Sequence, residues 1–135
     1  MGLTALDAGV VIAVLDASDA HHELARAALR DAAADTLVLP ASAYAEILVA
    51  PVRRGDGPHV VDAFLDAVPI IVHEATRDTA RRAAELRAAH GNRLRLPDAL
   101  VVATAIALDA DRVITTDSHW PSLPIAVTVL ESPGA

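Results

Sequence analysis

The chain has no cysteine and no lysine, and only one each of tryptophan, tyrosine and phenylalanine among its 135 residues. Without cysteine there are no disulfides, thiolate zinc sites or thiol nucleophiles. Without lysine there is no Schiff-base chemistry and no P-loop amine. An aromatic share of 2% argues against the stacking platform on which single-strand binders hold bases. The core has to be built from Ala, Val, Leu and Ile. No apolar run is long enough to span a bilayer. The stretch MGLTALDAGVVIAVLD carries Asp7 and no basic leader, so it reads as strand plus helix and not as a signal peptide. The expectation is a soluble, cytoplasmic protein with no membrane association.

The residues that are present are mostly apolar. Hydrophobic residues make up 53% and mean hydropathy is +0.38, which a disordered chain would not show. The length suits one domain over residues 1–135, with a frayed tail at Glu131–Ala135. Net charge is −7, and all eleven basic residues are arginine. Phosphate binders are ordinarily basic. An acidic chain can still act on nucleic acid if several of its acids are gathered around a cation.

Hydrophobic periodicity divides the chain into alternating strands and helices. Strands are expected at Leu3–Asp7, Thr36–Leu39, Ile70–His73, Arg112–Thr116 and Ile125–Leu130. Helices are expected at Val10–Leu15, Ala20–Ala34, Ser42–Arg54 (bent near Pro51, with Ser42 as a cap), His59–Ala67, Ala75–His90 and Pro97–Leu108. The alternation predicts an α/β fold, a mainly parallel central sheet with helices on both faces.

Against this apolar background four acids stand out: Asp7, Glu46, Asp98 and Asp117. Each has a structural reading. Asp7 and Asp117 can cap the segments that leave the ends of strands. Asp98, after Pro97, suits the first turn of a helix. Glu46 can be a solvated residue on an irregular helix face. Each also has a functional reading, since ligands of open α/β sheets bind beyond the carboxyl ends of strands.

Chain geometry favours the second. The helix from Asp98 to Ala110 runs out roughly 20 Å at about 1.5 Å per residue. The strand Arg112–Thr116 returns roughly 17 Å. Asp98 and Asp117 should therefore meet at one edge of the sheet, with Asp7 already there and Glu46 brought to it by the helix after Thr36–Leu39. Carboxylates about 5 Å apart repel by on the order of 3 kcal/mol per pair at an effective dielectric near 20. A counter-cation or raised pKa values must offset that. Oxygen-only ligands suit Mg²⁺ or Mn²⁺ and not zinc, and such a site hydrolyses phosphodiesters.

The segment LPDALVVATAIALDADRVITTDSHW (Leu96–Trp120) resembles the C-terminal signature of PIN domains in VapC-type toxins. LDAGVVIAVLDASDAHHELA (Leu6–Ala25) resembles their opening strand and helices, and LPASAYAEILVA (Leu39–Ala50) the segment with their second acid. The resemblance implies a PIN-like three-layer sandwich and a metal-dependent ribonuclease acting as the toxin of a type II toxin–antitoxin pair. It also implies a VapB-type antitoxin partner and a homodimer. It assigns catalytic and metal-binding roles to Asp7, Glu46, Asp98 and Asp117 and a supporting role to Thr115. Three residues depart from the pattern. Ala8 and Gly9 stand where a hydroxyl or amide usually comes after the first acid, and His119 stands where some members have a further acid.

Two rival readings compete with this one. A receiver or haloacid-dehalogenase-like phosphotransfer domain also puts acids at strand ends, but needs a lysine. A catalytically inactive PIN-like interaction module would be expected to have lost one of the acids. The histidines lack H-x-x-x-H spacing and read as structural, and Trp120 reads as a core anchor. Arginine must supply the RNA contacts, and Arg93 and Arg95 before Asp98, with Arg53 and Arg54 after the Glu46 helix, are the candidates.

Overall fold

The computed structural model describes residues 2–131. In chain order these form β1 (Leu3–Leu6), α1 (Ala8–Leu15), α2 (His22–Asp31), β2 (Thr36–Pro40), α3 (Ala41–Arg53) and α4 (His59–Ala67). Next come β3 (Ile71–His73), α5 (Arg77–His90), a 3-10 turn at Gly91–Arg93, α6 (Leu96–Ala107), β4 (Arg112–Thr115) and β5 (Val127–Val129). The frayed tail expected at Glu131–Ala135 lies, from residue 132 on, outside the described residues.

All strand pairings are parallel and the sheet order is β3-β2-β1-β4-β5. The chain builds outward from β1 through β2 to β3, then jumps back across β1 to lay down β4 and β5. With right-handed crossovers, this reversal puts the two groups of connecting helices on opposite faces. The sheet is the middle of three layers, and its direction of growth switches between β1 and β4.

Parallel strands buried on both faces need continuous apolar character. Ala5, Leu6, Val113 and Ile114 meet that need and are all fully buried. With so few aromatics, close packing rests on small residues. Helix α6 buries Ala99, Val101, Val102, Ala103, Thr104 and Ala105. Val101 and Ala105 join the larger core with α1 to α4, whereas Ala99, Val102 and Ala103 pack with Ala83 and Leu86 of α5. The Thr104 hydroxyl donates to the Leu100 carbonyl at 2.8 Å, so its burial leaves no orphan.

Several boundaries differ from the sequence reading for local reasons. Asp7 is not the last strand residue but the N-cap of α1, its side chain accepting from Ala8 N. That extends α1 back to Ala8. Ser42 does not cap α3. The helix starts at Ala41 after Pro40, whose fixed φ suits the entry, and Ser42 falls in its first turn. Pro51 lies in the last turn of α3, which ends two residues later at Arg53. The last strand is shorter than expected, because Leu123 and Ile125 pack against the helices instead of extending the ladder.

The amino-terminal edge of the sheet is pinned by acids with a purely structural task. Asp35 accepts from Gly2 N at 3.0 Å and from the Thr4 hydroxyl at 2.9 Å. Asp111 accepts from Leu3 N at 2.8 Å. The bond from Thr4, then that from Gly2, holds the Asp35 carboxyl below its usual pKa. At the start of α5, Thr76 and Thr79 form a reciprocal capping box, Thr79 N donating to Thr76 Oγ1 at 3.1 Å and Thr76 N to Thr79 Oγ1 at 2.8 Å. Thr76→Ala breaks this box and is expected to cost about 1 kcal/mol of stability, read as a lower urea midpoint with an unchanged m-value.

Candidate active site

Asp7 and Asp117 stand beyond the carboxyl ends of β1 and β4, on either side of the point where sheet growth reverses. A crevice opens there because the chains leaving the two strands diverge to opposite faces. Asp98 enters from the first turn of α6 and Glu46 from the middle of α3. The four acids thus come from four separate stretches of chain.

Asp7 is the most constrained of them, at 7% exposure. Its Oδ2 accepts from the Thr115 hydroxyl at 2.7 Å and its Oδ1 from Ala8 N at 2.9 Å. Thr115 Oγ1 in turn accepts from Asp117 N at 3.1 Å. One threonine therefore ties the end of β1 to the turn that carries Asp117. The Asp117 carboxylate is fixed by His119 N at 2.8 Å and faces His119 Nδ1 at 3.3 Å.

Glu46, Asp98 and Asp117 line an open depression of about 850 Å³ together with Arg93, Arg95 and Trp120. Asp98 carries the largest electrostatic burden. Partial burial raises its pKa to about 6, and the charges of Asp7, Asp117 and Glu46 push in the same direction. Burial also raises Asp7, against the opposing bonds from Thr115 and Ala8, with Asp117 adding to the rise. Glu46 is raised by partial burial and by Asp7. The acids at this edge are thus electrostatic neighbours short of positive charge.

They do not form the tight four-carboxylate cluster expected from the sequence. Among the described residues, no three acid or imidazole side chains converge closely enough to hold one ion as they stand. Like charges in a crevice of low dielectric favour this spread arrangement. The donor set, carboxylate oxygens with no sulfur, suits a hard divalent cation such as Mg²⁺ or Mn²⁺.

The arginine candidates divide. Arg93 and Arg95 line the acid depression. Arg54 lines a separate, more apolar groove between α1, α3 and α4, where its Nε pairs with Asp56 at 3.3 Å. Arg53 lines neither. Three features escaped the sequence reading. Glu46 stands on the ridge between the two depressions and lines both. A Cβ at Gly9 would collide with the Thr116 hydroxyl, so the residue after Ala8 is small because the end of β4 approaches the first turn of α1 there. The Trp120 indole nitrogen is buried without a hydrogen-bond partner among the described residues. No periodicity reports such contacts between distant segments.

A carboxyl raised to about 6 favours its protonated form in the folded chain. Its contribution to stability is complete below about pH 4 and is lost as pH rises through 6. Asp98→Asn is therefore expected to leave the metal-free protein at least as stable as wild type at pH 7, with the advantage closing by pH 4. Urea unfolding at the two pH values reads this directly. A clear loss of stability at pH 7 would instead make Asp98 a helix-start residue.

None of the curated proteins matches the sequence significantly. Among solved structures, the chain is similar to VapBC2 from Rickettsia felis bound to a DNA fragment from their promoter, with TM-score 0.77 and 15% identity over 96% of this chain and 99% of that one. A toxin–antitoxin complex from Klebsiella pneumoniae gives TM-score 0.72 and 21% identity over 95% and 98%. VapC20 of Mycobacterium tuberculosis, a sarcin–ricin-loop-cleaving toxin, gives 0.64 and 21% over 82% and 86%. At these identities the likeness establishes the fold. The PIN domain family model matches residues 4–125, a span that includes all four acids at the β1–β4 edge, and the chain belongs to the PIN domain family.

Proposed function

We propose that this protein is a VapC-type toxin of a type II toxin–antitoxin pair, a Mg²⁺- or Mn²⁺-dependent ribonuclease that hydrolyses RNA phosphodiester bonds. The observation that carries the reading is the gathering of Asp7, Glu46, Asp98 and Asp117, from four stretches of a PIN-family chain, at the switch point of the sheet. Its structural neighbours, two complexes of toxin with antitoxin and one RNA-cleaving toxin, support the same class.

In this reading the four acids are the catalytic and metal-holding residues. A bound divalent cation would polarise a phosphate oxygen and offset charge on the leaving oxygen. The remaining work falls to the chain itself. Thr115 and Ala8 N hold both oxygens of Asp7, so this carboxylate is oriented before substrate arrives. Thr115 is the supporting residue, since it also receives Asp117 N and so sets the spacing of the two acids. Asp98, with the most strongly raised proton affinity, is the acid best able to take up and release a proton near neutrality. Arg93 and Arg95 supply guanidinium groups for phosphates along the strand. Arg53 and Arg54 lie further from the acids and would contact only an RNA that crosses the Glu46 ridge.

The partner reading rests on the second depression. Ile12, Leu15, Ile47 and Pro51 line an apolar groove, and Val52 and Val60 nearby are 63% and 75% exposed. We assign this groove to the VapB-type antitoxin, whose basic side chain would reach Glu46 at the rim. The unit is taken as one domain over residues 1–135, acting as a homodimer in the cytoplasm. Among the described residues no helix is long and apolar enough to cross a membrane.

An RNA-cleavage assay tests these assignments. Cleavage is expected with Mg²⁺ or Mn²⁺ and is expected to stop in excess EDTA, with the metal stabilising the fold by about 2.7 kcal/mol at 100 times its Kd. Full activity in EDTA would sink the metal reading. No activity under any metal, with antitoxin binding intact, would make the chain an inactive interaction module. In the same assay Val60→Asp is expected to leave cleavage intact and to weaken inhibition by the antitoxin.

The arginine assignment has its own readout. The Arg93→Ala, Arg95→Ala pair is expected to reduce the slope of log RNA affinity against log salt by roughly 0.7 per lost phosphate contact. A wild-type slope would remove this loop from the RNA path.

A further inference from the structure

Trp120 is the only tryptophan in the chain, and its ring packs against both hydrophobic cores. Few side chains join the two clusters, and one that does has little freedom to turn. Its Nε1 is buried and has no hydrogen-bond partner among the described residues. A buried, unpaired N–H is costly, and native proteins rarely keep one without a use for it. Trp120 lines the acid depression alongside Asp98. No hydrogen bond joins the indole to Asp98 as the two side chains stand. Asp98 is half-buried on the first turn of α6 and lines the same depression.

We infer that Trp120 is a positioning residue for Asp98: its indole N–H, held in place by the two cores, donates to one carboxylate oxygen of Asp98 and leaves the other free to face a cation in the depression. The inference rests on the metal reading above and deepens it. Asp7 has its supporting hydroxyl in Thr115, and Asp117 has the backbone of His119. Asp98 has no such donor among the hydrogen bonds of the described residues, apart from this unspent one. The role needs the N–H and not merely an aromatic ring, which separates it from a packing role that phenylalanine could fill.

A single indole gives a single indole N–H resonance, so the wild-type protein reports on itself. On titration with Mg²⁺, that resonance is expected to move downfield and its hydrogen exchange to slow, in step with the backbone resonances of Asp7 and Asp117. In Asp98→Asn the shift is expected to be lost. Trp120→Phe, which keeps the ring, is expected to retain the wild-type melting temperature of the metal-free protein within a few degrees. Its Mn²⁺ affinity by calorimetry should be about tenfold weaker, the usual cost of losing a group that orients a ligand.

The two readings fail differently. If backbone resonances around Asp7 and Asp117 move with Mg²⁺ while the indole resonance stays still, the Trp120 proposal is overturned and the metal site stands. If nothing moves at saturating Mg²⁺, both fall. Should Trp120→Phe fail to fold, the wild-type titration decides alone.

Discussion

A carboxylate at 7% exposure, placed where a parallel sheet reverses its direction of growth, is the constraint on which the rest of this molecule depends. Burying Asp7 is unfavourable unless its oxygens are engaged. Both are, by the Thr115 hydroxyl and by Ala8 N. The same two bonds tie the end of β1 to the end of β4 and start α1. Satisfying one acid therefore fixes the geometry of the crevice. Thr115 can do this only because β1 and β4 are paired in parallel, with Leu6 level with Ile114. A shift of register by one residue would turn its hydroxyl to the other face.

The sign of the pKa shift separates Asp35, which holds the fold, from Asp7, Glu46 and Asp98 at the crevice. At the amino-terminal edge, Asp35 accepts two hydrogen bonds and lies below its usual value. At the carboxyl edge Asp7, Glu46 and Asp98 all lie above theirs, burial being the first cause in each. A sheet under selection for stability alone gains from the first pattern and loses from the second. Raised carboxyls in a crevice are the pattern that functional sites favour. This also accounts for a net charge of −7 in a protein read as acting on a polyanion. Part of that charge is gathered at the carboxyl edge of the sheet, and Arg93 and Arg95 stand at its margin.

Glu46 gives the acid edge a second connection. It lines the depression with Asp98 and Asp117 and also the apolar groove of α1, α3 and α4. Any segment seated in that groove therefore comes within reach of the acid edge without entering it. A regulator that fills the groove can act on the site through one side chain, and the exposed valines of α3 and α4 give it apolar area to cover. The acid depression and the apolar groove are thus adjacent on the surface.

The sequence by itself determined the class of fold and the identity of the four acids. Alternation of short apolar runs with helical periods is enforced by burial, and burial of parallel strands requires continuous apolar residues. Asp7, Glu46, Asp98 and Asp117 were visible because ionisable groups are costly in apolar surroundings. Helix and strand lengths sufficed to bring Asp98 and Asp117 to one edge. Element ends were less legible: Asp7 caps α1 and does not belong to β1, and Pro40, not Ser42, opens α3. Only the tertiary structure decided how the parts meet. It placed Arg93 and Arg95, but neither Arg53 nor Arg54, in the acid depression. It kept the acids apart, cleared Gly9 for Thr116, and left an unspent indole N–H beside Asp98. These relations depend on distances of a few ångströms between segments far apart in the chain. Local propensity and periodicity carry no information about them; packing sets them.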